Sequence, residues 1–140
     1  MREIKFRAYS SQNHKMYPVS NIEWDTDGRI WVTADDGKNG IELIDEEAHL
    51  MEYTGLHDKN GLEVYESDIL KVTGEDGESY VAAVKWFGDE DYPSFDLEGI
   101  PAAWNYDANA LATIFQSGVE TCEVIGNIFE DKQLMEAQHE

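Results

Sequence analysis

At 140 residues the chain has the length of one compact domain, or of two small subdomains sharing a core, and it needs no disulfide or metal to bury enough surface. Ten Lys and Arg against thirty Asp and Glu give a formal charge of −20. That charge argues against nucleic-acid phosphates and anionic membrane surfaces as direct partners. A single cysteine, Cys122, excludes an intramolecular disulfide and a paired-cysteine metal site, and 41% apolar residues with 11% aromatics argue against disorder.

The N-terminal residues Met1-Arg2-Glu3-Ile4-Lys5-Phe6-Arg7 alternate charged and apolar types and contain no apolar signal-peptide core. No stretch of ~18 apolar residues occurs. The expectation is a cytosolic protein in a reducing compartment.

Residues 3 to 9 carry the period of a half-buried strand, with Ile4, Phe6 and Ala8 on one face. Ser10 to His14 reads as a turn. Met16 to Ser20 reads as a short strand limited by Pro18, which has no N–H to give to a ladder. Asn21–Trp24 and Arg29–Thr33 flank Asp25-Thr26-Asp27-Gly28 and predict a hairpin. Residues 35 to 40 form a turn-rich loop, and Ile41 to Ile44 alternates again. Asp45 suits the cap of a short helix over Glu46 to Met51. A single turn running into a strand at Glu52-Tyr53-Thr54 is the open alternative.

Tyr53 to Thr73 is the central stretch. Its Asp58-Lys59-Asn60-Gly61 string between apolar runs predicts a tight turn, with positive φ at Gly55 or Gly61. Asp68–Thr73 reads as a strand and Glu75-Asp76-Gly77-Glu78 as its turn. Ser79 to Phe87 reads as the longest strand candidate, with Tyr80, Ala82, Val84 and Trp86 on the core side. Ser94 to Leu97 is a short strand. Ala108 to Gln116 is the best helix by composition and stops before Gly118. Residues 121 to 129 form a last strand with a bulge at Gly126. Residues 131 to 139 read as a polar helical tail or a frayed end.

Charge divides unevenly. Residues 1–52 carry six bases and eleven acids, net −5, and residues 53–140 carry four bases and nineteen acids, net −15.

The residues themselves then bring a family into view. Arg2-Glu3-Ile4-Lys5-Phe6-Arg7-Ala8, the run from Leu50 to Leu56, Asp58-Lys59-Asn60-Gly61, Val64-Tyr65-Glu66, Asp68-Ile69 and the run from Cys122 to Glu130 together resemble the YopX family of phage and prophage proteins. Tyr9-Ser10 stand where that family usually has Trp-Asp. Its Glu-Gly-Asp-Ile reads Glu66-Ser67-Asp68-Ile69 here, which predicts an ordinary φ at Ser67. Tyr53, Gly55, Asp58, Asn60, Gly61, Tyr65 and Asp68 form the shared structural motif. The resemblance implies no enzyme chemistry that carries over to these residues.

The chemistry-bearing residues are sparse. His14, His49, His57 and His139 lack metal-ligand spacing. Asp89-Glu90-Asp91 lacks the alternation of a calcium loop and reads as solvated acids. Cys122 opens a core strand, where a cysteine serves as a small hydrophobe, and no nucleophile motif occurs. No catalytic residue, metal or cofactor is expected. Trp104-Asn105-Tyr106 lies in a loop before the helix and reads either as core packing, the favoured option, or as an exposed aromatic patch. With Asp89, Glu90 and Asp91, Trp104 and Tyr106 form the candidate interaction surface.

The expected fold is mainly β (α+β). A hairpin-rich N-terminal sheet over residues 1–52 joins an SH3-like β-barrel over 53–140, with a helix inserted near 108–117. The expected function is that of a non-enzymatic phage or prophage accessory protein in the cytoplasm of the bacterial host. It would bind a host or phage protein, with no direct nucleic-acid or membrane partner and with self-association left open. The alternative is an acidic nucleic-acid mimic that inhibits a host DNA-binding or defence protein.

Overall fold

The computed structural model describes residues 4–35, 40–44, 47–87, 94–101, 104, 106 and 109–136. The chain divides into two compact units, Met1–Tyr53 and Thr54–Glu140. The fold is mainly β, and its strand pairs are antiparallel.

In the first unit β1 (Phe6–Ser10), β2 (Lys15–Trp24), β3 (Ile30–Asp35) and β4 (Gly40–Ile44) form a meander. The next strand, β5 (Ala48–His57), returns to the free side of β1, giving the order β4-β3-β2-β1-β5. Alternating residues supply the core: Ala8, Tyr17, Val32, Ala34 and Leu43 are buried together. Two expectations are corrected here. The short strand limited by Pro18 and the first arm of the hairpin are one ten-residue strand, β2. Pro18 sits where β2 changes partner, pairing with Arg7 of β1 just before Val19 opens the ladder to β3. A residue without an N–H is tolerated at such a boundary. From Ala48 on, the open alternative of a strand replaces the helix expected over Glu46 to Met51, because Ala48 to Glu52 pair with β1, opposite Ser10 to Phe6, while Glu46 lies outside the described residues. Ladder pairing outweighs the modest helix propensity of that segment. Its proposed cap, Asp45, lies outside the described residues.

The second unit begins within β5. There the Thr54 hydroxyl donates to the Val64 carbonyl at 2.7 Å, beside β6 (Glu63–Tyr65). A four-stranded sheet follows, built from β7 (Asp68–Thr73), β8 (Ser79–Trp86), β9 (Phe95–Glu98) and β10 (Thr121–Asn127), in the order β10-β7-β8-β9. Among the described residues this sheet is open, and no pairing closes it into a barrel. The expected bulge is present as a register shift between Val124 and Gly126.

Helix α1 (Ala110–Ser117) precedes β10. Asn109 caps it by accepting the Ala112 N–H at 2.9 Å, and Asp96 accepts the Leu111 N–H at 3.1 Å. Both supply acceptors to orphan donors of the first turn. Leu111 and Ile114 pack on Leu70, Val72, Tyr80, Ala82, Val84, Phe95 and Cys122. A short helix, α2 (Gln133–Glu136), ends the described chain.

On β8, Tyr80, Ala82 and Val84 are buried as expected, but Trp86 is 37% exposed. Trp86 lies at the end of the strand, edge-on to Phe95 at 5.1 Å, where the core no longer covers it.

Candidate functional site

The shared motif residues turn out to hold the backbone. Asp58 is 6% exposed. One of its oxygens accepts the N–H groups of Asn60 and Leu62, each at 2.9 Å, and the other accepts that of Val124 on β10 at 2.9 Å. Burial alone would raise its pKa, but these three donors and the Lys59 charge outweigh it and hold the carboxyl below the usual carboxylate range. The Asn60 amide reaches Glu123 at 3.1 Å, and Gly61 has φ +84°. Gly55 has φ +90°. Tyr65 donates its N–H to Asp68, which is 1% exposed, at 2.8 Å. Tyr53 belongs to the first unit, where its N–H meets the Lys5 carbonyl at 2.9 Å and its ring lies 5.6 Å from the Lys5 ammonium.

The expected φ at Ser67 is corrected, since the residue adopts φ +76°. Its N–H donates to the Val84 carbonyl at 2.8 Å and its carbonyl accepts the Ile128 N–H at 3.0 Å. Two backbone hydrogen bonds to distant residues thus hold a left-handed conformation that glycine would adopt without strain.

Trp104 and Tyr106 are half-buried and pack against the second core. The ring of Trp104 lies 4.6 Å from that of Tyr80, tilted by 57°. Beside it the β7–β8 turn carries Gly74, and a Cβ there would come within 3.2 Å of the indole. Glycine therefore lets the indole rest on the turn. The Tyr80 and Tyr106 hydroxyls are 2.6 Å apart, and Tyr106 donates to Glu120 at 2.7 Å. With its only proton given to Glu120, Tyr106 accepts from Tyr80. Burial pushes Tyr80 up to about 12. Burial, with the hydrogen bonds from Tyr80 and to Glu120, holds Tyr106 well above the ordinary phenol range. Both phenols are neutral at ordinary pH.

These elements border an open groove of about 430 Å³, lined by Gly74, Glu75, Asp76, Glu78, Trp104, Val119 and Glu120. The first acids come from the β7–β8 turn, and Val119, 51% exposed, and Glu120 come from the connection between α1 and β10. Among the described residues the lining offers four carboxylates, an indole and an exposed aliphatic side chain, and no lysine or arginine. It suits a cation with an apolar stem. None of its described residues is a serine, cysteine or histidine.

Of the sequence-derived interaction surface, Trp104 and Tyr106 are brought together here, while Asp89, Glu90 and Asp91 lie outside the described residues. Glu75, Asp76, Glu78, Val119 and Glu120 were not singled out by the sequence. Only the Gly-rich turn string at 74–78 hints at them. A smaller cavity of about 250 Å³ is lined in part by His57, Asp58 and Cys122. Burial, with the nearby Asp58 charge, pushes the Cys122 thiol up to about 11, which makes it a poor nucleophile. Among the described residues no group of three or more His, Cys, Asp or Glu is arranged to hold a metal ion, and no helix is long and apolar enough to cross a membrane.

The family model described as YopX protein matches residues 5–136. Two solved structures share the fold. Protein EF1440 from Enterococcus faecalis superposes with a TM-score of 0.60 at 21% identity, over 96% of this chain and 99% of that one. Protein yopX from Bacillus subtilis superposes with a TM-score of 0.60 at 19% identity, over 93% and 96%. No curated protein matches the chain.

Proposed function

The chain belongs to the YopX family, and from that premise we propose that it is a non-enzymatic phage or prophage accessory protein that binds a host or phage protein in the bacterial cytoplasm. The observation that carries this reading is the groove at Trp104, where an aromatic ring and an exposed aliphatic side chain sit among carboxylates. Concave, partly apolar surfaces with a few placed polar groups are the usual form of a recognition site. We further read the second unit as SH3-like. What supports this is a three-strand meander, β7-β8-β9, followed by a helix and a last strand that returns to pair with β7.

The test is affinity capture from host lysate at low and high salt, followed by calorimetry of the purified candidate with the full chain. A 1:1 complex with a captured protein supports the reading, and the part of its affinity retained at high salt marks the apolar share of the contact. The absence of such a complex for every captured candidate defeats the reading.

The second reading, an acidic mimic of nucleic acid, is favoured by the net −15 of residues 53–140. It requires the chain to displace DNA from a captured DNA-binding protein in a gel-shift competition.

A further inference from the structure

Resting on the protein-binding reading, we propose that the groove receives an arginine side chain from a basic segment of the partner protein. Acids alone would not carry this, since most are solvated. Three further features do. First, the groove is a cavity of about 430 Å³, within the range of ~300–1,000 Å³ found for binding clefts. Second, its surface is split by chemistry. Val119, 51% exposed, offers aliphatic contact for the methylene stem, and Trp104 offers an indole for the guanidinium, both among Glu75, Asp76, Glu78 and Glu120. Third, one of the carboxylates is held in place before any ligand arrives. Glu120 accepts from Tyr106 at 2.7 Å, and Tyr106 is fixed by Tyr80 at 2.6 Å. A preorganised acceptor loses less entropy on binding than a free surface acid. The apolar part of the lining does nothing for a hydrated metal ion. Arginine is favoured over lysine because its planar fork engages two carboxylates and stacks on an aromatic ring, whereas an ammonium does neither as well.

The experiment uses the ¹⁵N-labelled full chain and a nine-residue Gly/Ser peptide carrying two arginines. Matched lysine and glutamate peptides serve as comparisons. The expected result is that the Trp104 indole N–H and the amides of residues 74–78 and 119–120 shift together, with arginine binding several-fold tighter than lysine. The double substitution Glu75→Gln/Glu120→Gln is expected to weaken binding about tenfold. Glu23→Gln/Glu42→Gln removes the same charge from two exposed acids of the first unit and is expected to change affinity less than about twofold. Val119→Ser, at an exposed position, leaves the fold intact and is expected to weaken binding about threefold. Shifts scattered over the surface, or equal losses in the two double variants, would overturn the proposal in favour of diffuse attraction to an acidic chain. A protein partner that binds Glu75→Gln/Glu120→Gln as tightly as the parent overturns the groove while the protein-binding reading stands. Arginine-peptide binding in the groove without any protein partner upholds the site and defeats that reading instead.

Discussion

Two turns, one in each unit, are the same device put to different uses. Asp25-Thr26-Asp27-Gly28-Arg29 and Asp58-Lys59-Asn60-Gly61-Leu62 share one backbone. In each, the first aspartate donates its N–H to the carbonyl four residues on, at 3.0 and 2.8 Å, and accepts the glycine N–H at 3.1 and 3.0 Å. In each, one carboxylate oxygen accepts the N–H groups two and four residues on, all at 2.9 Å. Both glycines have φ +84°. The difference lies in the second oxygen. In Asp25 it stays local, taking the Trp31 indole N–H at 2.9 Å and the Arg29 guanidinium at 3.3 Å. In Asp58 it reaches 66 residues along the chain to Val124, so that turn also fixes β10. A third turn, Gly74 to Glu78, keeps the backbone but drops the aspartate. Gly77 has φ +88°, Gly74 donates to the Glu78 carbonyl at 2.8 Å, and the Trp104 indole occupies the space a side chain would take. The turn shape is therefore a local matter, while its tertiary use depends on what a single side chain can reach.

The sharpest way to break this comparison is to remove the two aspartates. Asp58→Ala leaves three backbone donors without their acceptor in a nearly buried setting and is expected to destabilise the second unit by about 3 kcal/mol. Asp25→Ala is expected to cost clearly less, with both read by urea unfolding. Equal losses would show that the reach to Val124 is worth no more than the local bonds to Trp31 and Arg29.

Acid titration adds a second measure. The Asp58 carboxyl is depressed below its usual range, so its stabilisation is complete above about pH 4 and is lost as pH falls through the folded-state value. An Asp58→Asn variant is expected to show a flatter acid limb. At the other extreme, Tyr80 is raised to about 12, so the folded state holds a proton that the unfolded chain releases near pH 10. Stability is expected to fall between about pH 10 and 12, and Tyr80→Phe should flatten that limb in thermal melts.

The third turn tests whether the missing aspartate is a lack or a fit. Gly74→Asp restores the first residue of the other turns but drives a Cβ against Trp104 and sets a charge beside Asp76. A loss of roughly 1 kcal/mol with a displaced Trp104 indole resonance is expected. A gain would mean that the indole moves aside freely. The smallest effect is at Ser67, where a left-handed residue stands without glycine. Ser67→Gly is expected to stabilise by about 0.5 kcal/mol in urea unfolding, the relief of the left-handed φ being partly offset by the extra freedom of glycine in the unfolded chain.

The second unit is the more legible in the sequence. A short apolar run places β7, alternation places the buried face of β8, Gly118 stops α1 and Gly126 marks the bulge, because each depends on neighbours in the chain. The string D-x-[DN]-G marks two of the three turns for the same reason. What escapes is set by distant partners. Ala48 to Met51 reads as helical until β1 lies beside it, and Pro18 reads as a stop until β2 changes neighbours there. Ser67 reads as ordinary because its conformation is held by two backbone hydrogen bonds to distant residues, Val84 and Ile128. The groove is half legible. Trp104 and Tyr106 stand out by type, but Glu75 and Glu120 are 45 positions apart and meet only once β10 pairs with β7.

The pairing of β10 with β7 also sets the order in which a growing chain can finish its structure. The pairings among β1 to β5 use no residue beyond 52, so they are available by the time residue 53 leaves the ribosome. The second unit cannot complete its sheet until residues 121–127 emerge, some fifty positions after the strand they cover. Through that interval β7 presents an unpaired edge, and the Asp58 carboxylate waits without its third donor. Exposed edges of this kind template pairing with other chains. Translation that stalls before residue 121 would therefore release a chain with a finished first unit and a sticky, half-built second one.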